Sequence, residues 1–191
     1  MAPEAPLLTV GHGRLDRDAL GSLLRDAAVE LLVDVRRFPG SRSNPAVSRE
    51  VLPSSLHGFG VEYRWEERLG GRRSRPRGVD EDPWWQVEAF RAYAAYTRTG
   101  EFRDAMARLL SEAASRRVAV MCSESVWWRC HRRLIADVAM LAHGVPVLHL
   151  MHDGRLVEHR PSEGARLRSF GEVVWDQGRA PQRVRSRDAD G

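Results

Sequence analysis

Twelve consecutive residues, Met121-Cys-Ser-Glu-Ser-Val-Trp-Trp-Arg-Cys-His-Arg132, hold two thiols, a carboxylate, an imidazole and two guanidinium groups. A cysteine that leaves a buried strand and leads into a helix lies near unpaired backbone N–H groups and a positive helix end. Both lower a thiol pKa and both favour anions. On that logic Cys122 and Cys130 are candidate nucleophiles, with Arg129 and Arg132 placed to clamp a phosphate, sulfate or carboxylate. The opposing reading is that Cys122, at the end of an apolar run, is a small core side chain. Glu124 would repel an anion, so it either pairs with Arg36 or Arg132 or works as an acid or base. The glycines of a backbone phosphate loop are missing from this stretch.

Other titratable groups recur where apolar runs end. His12 follows Leu7-Leu-Thr-Val10, Asp34, Arg36 and Arg37 surround the end of Leu31-Leu-Val-Asp-Val35, and Arg42 lies in the loop beyond. His149 and His152 close the run Val145 to Met151, His149 reading as a satisfied core or edge histidine. Cys122, Cys130, His131 and His12 are zinc-ligand types, but their spacing is not that of a metal finger. Adjacent Cys130 and His131 would point apart on a helix, so neither a metal nor a bound cofactor is expected.

The elements that must position these groups follow from pattern and punctuation. Leu7 to Val10 reads as a buried strand closing at Gly11-His-Gly13, and Leu15 to Ala28 carries Leu20, Leu23, Leu24 and Ala27 at helical spacing. Leu31 to Val35 is a second apolar strand, and strand, helix and strand in this order imply a parallel sheet. A short helix is expected over Pro53–Gly58, a strand over Val61–Trp65, and helices over Pro83–Thr97 and Glu101–Ser115. Val118 to Cys122 reads as a central strand, then a helix over Arg129–His143 that stops at Gly144, then the strand Val145–Met151. His152 to Arg155 is a turn into a short strand near Leu156-Val157. The pattern predicts one α/β domain over residues 1–168, with a mainly parallel central sheet flanked by helices in a Rossmann-like three-layer arrangement, and a polar, flexible tail over 169–191. Ligands in such sheets bind at the carboxyl ends of the strands, which is where the titratable groups gather.

Composition narrows the partners. The chain has 191 residues, 42% hydrophobic and 29% charged, which suits one folded domain with a real core. No apolar run approaches the ~20 residues of a membrane span, and the start Met1-Ala-Pro-Glu-Ala-Pro is unlike a signal peptide, so a cytoplasmic setting with reduced thiols is expected. All 30 basic residues are arginine, yet the net charge is only +4. Six arginines lie between Arg64 and Arg77 and four between Arg36 and Arg49. With Trp65, Trp84, Trp85, Trp127 and Trp128 they admit a nucleic-acid surface, although paired tryptophans more often pack in cores and charge runs more often face solvent.

Val10-Gly-His-Gly13, Val33-Asp-Val-Arg36 with Pro39 and Ser41-Arg42, Leu69-Gly-Gly71, and Met121-Cys-Ser-Glu124 followed by Cys130-His-Arg132 resemble the domain of unknown function 488 family over about Leu7 to His152. The resemblance implies a compact α/β domain without a settled activity. That family commonly has Ser after the first Gly-His, where this chain has Gly13. A weaker similarity is to rhodanese-like domains, through Val33-Asp-Val-Arg36 and the position of Cys122, although the gap to Arg129 is longer and Glu124 intrudes.

The leading expectation is a protein that binds an anionic ligand, a nucleotide or nucleic acid; if it is an enzyme, its acid/base groups favour hydrolysis or group transfer. Arg36, Arg42 and Arg132 would hold the anion, with Asp34 and Arg129 also placed at the ligand site. Glu124, with either His12 or His131, would move protons. The rivals are thiol chemistry at Cys122 or Cys130, and a non-catalytic nucleic-acid-binding module. Whether the chain is an enzyme stays open at the level of sequence.

Overall fold

In a computed structural model, which describes residues 5–40, 44–75, 78 and 80–177, the expected three-layer α/β arrangement is present. Six strands form one sheet: β1 (Leu7–Gly11), β2 (Leu31–Asp34), β3 (Glu62–Trp65), β4 (Val118–Cys122), β5 (Val147–Leu150) and β6 (Leu156–Glu158), in the order β3-β2-β4-β1-β5-β6. The first five run parallel, and β6 is antiparallel to β5. β1, β2 and β4 are buried along their whole length, which is why they read as continuous apolar runs rather than alternating ones.

Two helices cover one face. α1 (Arg17–Asp26) is capped by the Asp16 carboxylate, which accepts from the amides of Asp18 and Ala19. α2 (Leu52–His57) follows β2, and Leu20, Leu24, Leu52 and Leu56 pack on Leu8, Val10, Leu32 and Met121 of the sheet. The other face carries α3 (Glu88–Tyr96), α4 (Gly100–Ala113) and α5 (Arg132–His143). α5 ends as expected, with Gly144 left-handed at φ 69° and its amide bonded back into the last turn. Among the described residues no helix is long and apolar enough to cross a membrane.

Three boundaries differ from expectation. α3 begins at Glu88 rather than Pro83, because Trp84 and Trp85 belong to a turn that docks on Trp175. α5 begins at Arg132 rather than Arg129, because Trp127–Arg129 forms a 3-10 turn and Cys130 is extended at φ −129°, ψ 151°. The packed chain also runs past residue 168. β7 (Ala165–Leu167) and β8 (Val173–Trp175) form an antiparallel hairpin, and Trp175 is fully buried.

Asp137 explains how that hairpin is held. It projects from the apolar body of α5 and accepts from Trp175 Nε1 (2.8 Å), His159 Nε2 (2.8 Å), Ser162 Oγ (2.7 Å) and the Ser162 amide (2.9 Å). A buried carboxylate is tolerable when its lone pairs are filled in this way.

Candidate functional site

The carboxyl ends of β1, β2 and β4 are adjacent, and register brings Gly11 beside Cys122 and Asp34 beside Met121. Pairing continues one step past the strands, with the His12 amide donating to the Cys122 carbonyl and Gly13 to Ser123. Above these ends lies a cavity of about 450 Å³. His12, Arg36, Cys122, Cys130 and His131 line it from the sheet side, while Arg37, Phe38, Arg72, Phe90, Glu124 and Arg129 form walls and rim. That volume lies within the ~300–1,000 Å³ usual for small-molecule sites.

Asp34 and Arg36 are locked together in the floor. Arg36 Nε donates to Asp34 (2.9 Å), its Nη2 also reaches the Val47 carbonyl (2.8 Å), and Tyr63 Oη donates to Asp34 (2.7 Å). Burial and the neighbouring Asp34 carboxylate push the Tyr63 hydroxyl pKa far up, so it remains a donor. Arg36 Nη1 donates to His12 Nε2 (3.3 Å), while His12 Nδ1 donates to the Gly13 carbonyl (3.1 Å). Burial first, and then the Arg36 charge, hold His12 below the ordinary imidazole range. Both ring nitrogens are engaged in one neutral tautomer. Arg36 is likewise spent on Asp34, Val47 and His12 rather than free to clamp an anion.

Arg132 departs from its expected role too. It is buried, and it donates through Nε to Cys130 Sγ (3.5 Å) and through Nη2 to the main-chain carbonyl of Glu124. It braces the loop between β4 and α5 instead of lining the cavity. The brace passes beside Gly11, where a Cβ would overlap the Glu124 carbonyl. Glu124 accordingly pairs with neither Arg36 nor Arg132 through its carboxylate; that group is exposed at the cavity rim. Gly13, at φ 52°, leaves its side-chain position to Ser125 Oγ.

The two cysteines and His131 converge. Cys122 Sγ lies 3.8 Å and Cys130 Sγ 3.6 Å from His131 Nδ1, and all three donor atoms lie within 4.8 Å of one another. The extended backbone at Cys130 makes this possible, since on a helix the neighbouring side chains would diverge as the sequence reading supposes. Tyr93 meets the His131 ring edge-on at 5.0 Å, and Gly71 packs against its Nδ1 side. The Cys122 thiol is held well below its ordinary range by the S–H of Cys130, with His131 and Arg132 adding to this against burial. Cys130 is pushed well above it by burial and by donating to Cys122. The two neighbouring thiols are thus driven in opposite directions, Cys122 down and Cys130 up.

Other expectations resolve away from the cavity. His149 is internal to β5, bonded to Thr9 and His159, and stacked on Trp127 at 4.0 Å. His152 Nε2 donates to the Gly11 carbonyl (2.6 Å). Much of the arginine-rich stretch is neutralised internally: Arg64 pairs with Glu66 and Glu112, Arg68 with Glu66, and Arg75 with Asp80 and Glu88. Arg42 and Arg77 lie outside the described residues. The wall residues Phe38, Arg72 and Phe90 carry no motif; Gly71, beside them, stands in the quoted Leu69-Gly-Gly71 loop, but nothing local ties that loop to His131.

Fold and cavity define a doubly wound α/β protein with a ligand-sized pocket at its strand ends. The chain belongs to the family described as Domain of unknown function DUF488, whose model matches residues 16–139. No curated protein and no solved structure matches the chain.

Proposed function

We propose that the cavity binds a small anionic ligand, a nucleotide or another phosphorylated molecule, and that the protein acts on it by hydrolysis or group transfer. One observation carries this reading: Arg37, Arg72 and Arg129 line a 450 Å³ cavity over the strand ends. Arg37 Nε is moreover buried without a hydrogen-bond partner among the described residues. Guanidinium groups favour phosphate through planar, bidentate contacts. Phe38 and Phe90 offer aromatic faces beside them, a complement to a base or another flat group. Glu124 is the acid/base candidate whose carboxylate is open to the cavity, so it takes the proton-transfer role in this reading.

The test is calorimetric titration of the full chain with pyrophosphate and with a nucleoside triphosphate at low salt. We expect saturable binding that weakens with added salt and falls at least ~10-fold in the Arg37→Gln/Arg129→Gln double variant. No binding at millimolar ligand, or equal binding by that variant, refutes the proposal. If the bound molecule is turned over, Glu124→Gln abolishes turnover while leaving affinity within a few-fold.

A further inference from the structure

We infer that Cys122, Cys130 and His131 form a zinc site that leaves one coordination position open to the cavity. Tetrahedral zinc with Zn–S of ~2.3 Å and Zn–N of ~2.0–2.1 Å places sulfur and nitrogen ligands about 3.6 Å apart. The observed Sγ–Nδ1 separations are 3.6 and 3.8 Å, with every pair of donors inside 4.8 Å. Two thiols and an imidazole are also the ligand set that a borderline-soft divalent ion prefers.

The cluster is held ready for a metal by its surroundings. Cys122 is anchored at the end of β4, Cys130 by the 3-10 turn before it, and His131 between the Tyr93 ring and the side-chain-free face of Gly71. Arg132 Nε, at 3.5 Å from Cys130 Sγ, is an outer-sphere donor that would steady a metal-bound thiolate. His131 Nε2 is buried with no partner among the described residues, so the ring gains nothing from Nε2 in this orientation. Its Nδ1 is instead aimed at the two sulfurs.

Three protein ligands and one open position is the arrangement of zinc sites that bind water or substrate oxygen. Because all three ligands line the cavity, the open position faces the space beneath Arg37, Arg72 and Arg129. What the metal acts on rests on the anion-pocket reading above; the metal site itself does not.

The experiment uses the reduced full chain, stripped with a chelator and titrated with zinc, then with cobalt(II) as a spectroscopic probe. One equivalent of zinc should bind, and cobalt should give thiolate charge-transfer bands together with the visible bands of a tetrahedral ion. Cys122→Ser, Cys130→Ser and His131→Gln should each weaken zinc by ~100-fold or more, since even outer-sphere changes cost ~10–100-fold. Arg108→Gln, on the exposed side of α4 and outside the cavity, should bind zinc normally, and circular dichroism checks that each variant is folded. Absence of stoichiometric zinc, octahedral cobalt without charge-transfer bands, or undiminished zinc binding by folded His131→Gln and Cys130→Ser would each overturn the site. So would quantitative closure to a Cys122–Cys130 disulfide in air with zinc present. Pyrophosphate titration of the stripped protein separates the two proposals, because anion binding without zinc binding leaves only the pocket, and the reverse leaves only the metal.

Discussion

Acid should loosen this protein, and most of all through the buried His149. Thr9 Oγ1 lies 2.6 Å from His149 Nδ1, His149 Nε2 lies 3.0 Å from His159 Nδ1, and His159 Nε2 lies 2.8 Å from Asp137. Every donor finds an acceptor when the protons run from Thr9 toward Asp137, an arrangement assigned from the hydrogen-bond network. In that arrangement His149 has no nitrogen left for a second proton. Burial, then repulsion from His159 and Arg132, lowers it from 6.5 to about 3. The unfolded chain therefore binds a proton near pH 6.5 that the folded chain refuses until about pH 3. Within that window the unfolded state holds more protons, so stability falls as pH falls. Each pH unit below 6.5 costs about 1.4 kcal/mol, which makes the loss ~2 kcal/mol at pH 5 and approaches ~5 kcal/mol across the window. Against a total of ~5–15 kcal/mol this is a large effect. Urea unfolding followed by tryptophan fluorescence at pH 7.5 and pH 5 measures it in the native protein and in His149→Gln. The variant should be less stable at neutral pH but lose ~2 kcal/mol less on acidification. His12 and His143, which burial also lowers, are common to both proteins and cancel. Equal losses in the two proteins would refute the reasoning.

Two further outcomes follow from the packing. Asp137→Ala strips the acceptor from His159, Ser162 and Trp175 together and should cost ~3–5 kcal/mol in urea unfolding; a loss below ~1 kcal/mol would show that the hairpin does not depend on it. Gly11→Ala sets a methyl group against the Glu124 carbonyl and the Arg132 guanidinium, so it should cost ~1–3 kcal/mol and shift amide resonances across residues 122–132, whereas an unchanged loop would mean the approach is not close.

The strand ends were legible because burial on both faces writes itself as apolar runs, and the chain must turn where those runs stop. The sequence alone therefore places His12, Asp34, Cys122 and Glu124 near one end of the sheet. Which of them face the cavity was not legible. Arg36 and Arg132 look identical to Arg37 and Arg129 in sequence, yet the first two are consumed by buried partners from other elements. The hairpin at 165–175 was missed for a related reason: three-residue strands carry no periodicity, and the partners of Trp175 are Asp82, Trp85 and Asp137, far away along the chain.

By itself the sequence determined the class of fold, the order of its main elements and the stop at Gly144, because apolar spacing and glycine punctuation act within a few residues. The convergence of Cys122, Cys130 and His131 belongs to the tertiary structure alone. It requires Arg132 to reach back past Gly11 to the Glu124 carbonyl, which holds the chain out of helix until Arg132. It also requires Gly71 and Tyr93, from two other segments, to set the imidazole ring. Contacts between residues tens of positions apart leave no local pattern, so only the packed chain decides that three donor atoms meet at one point.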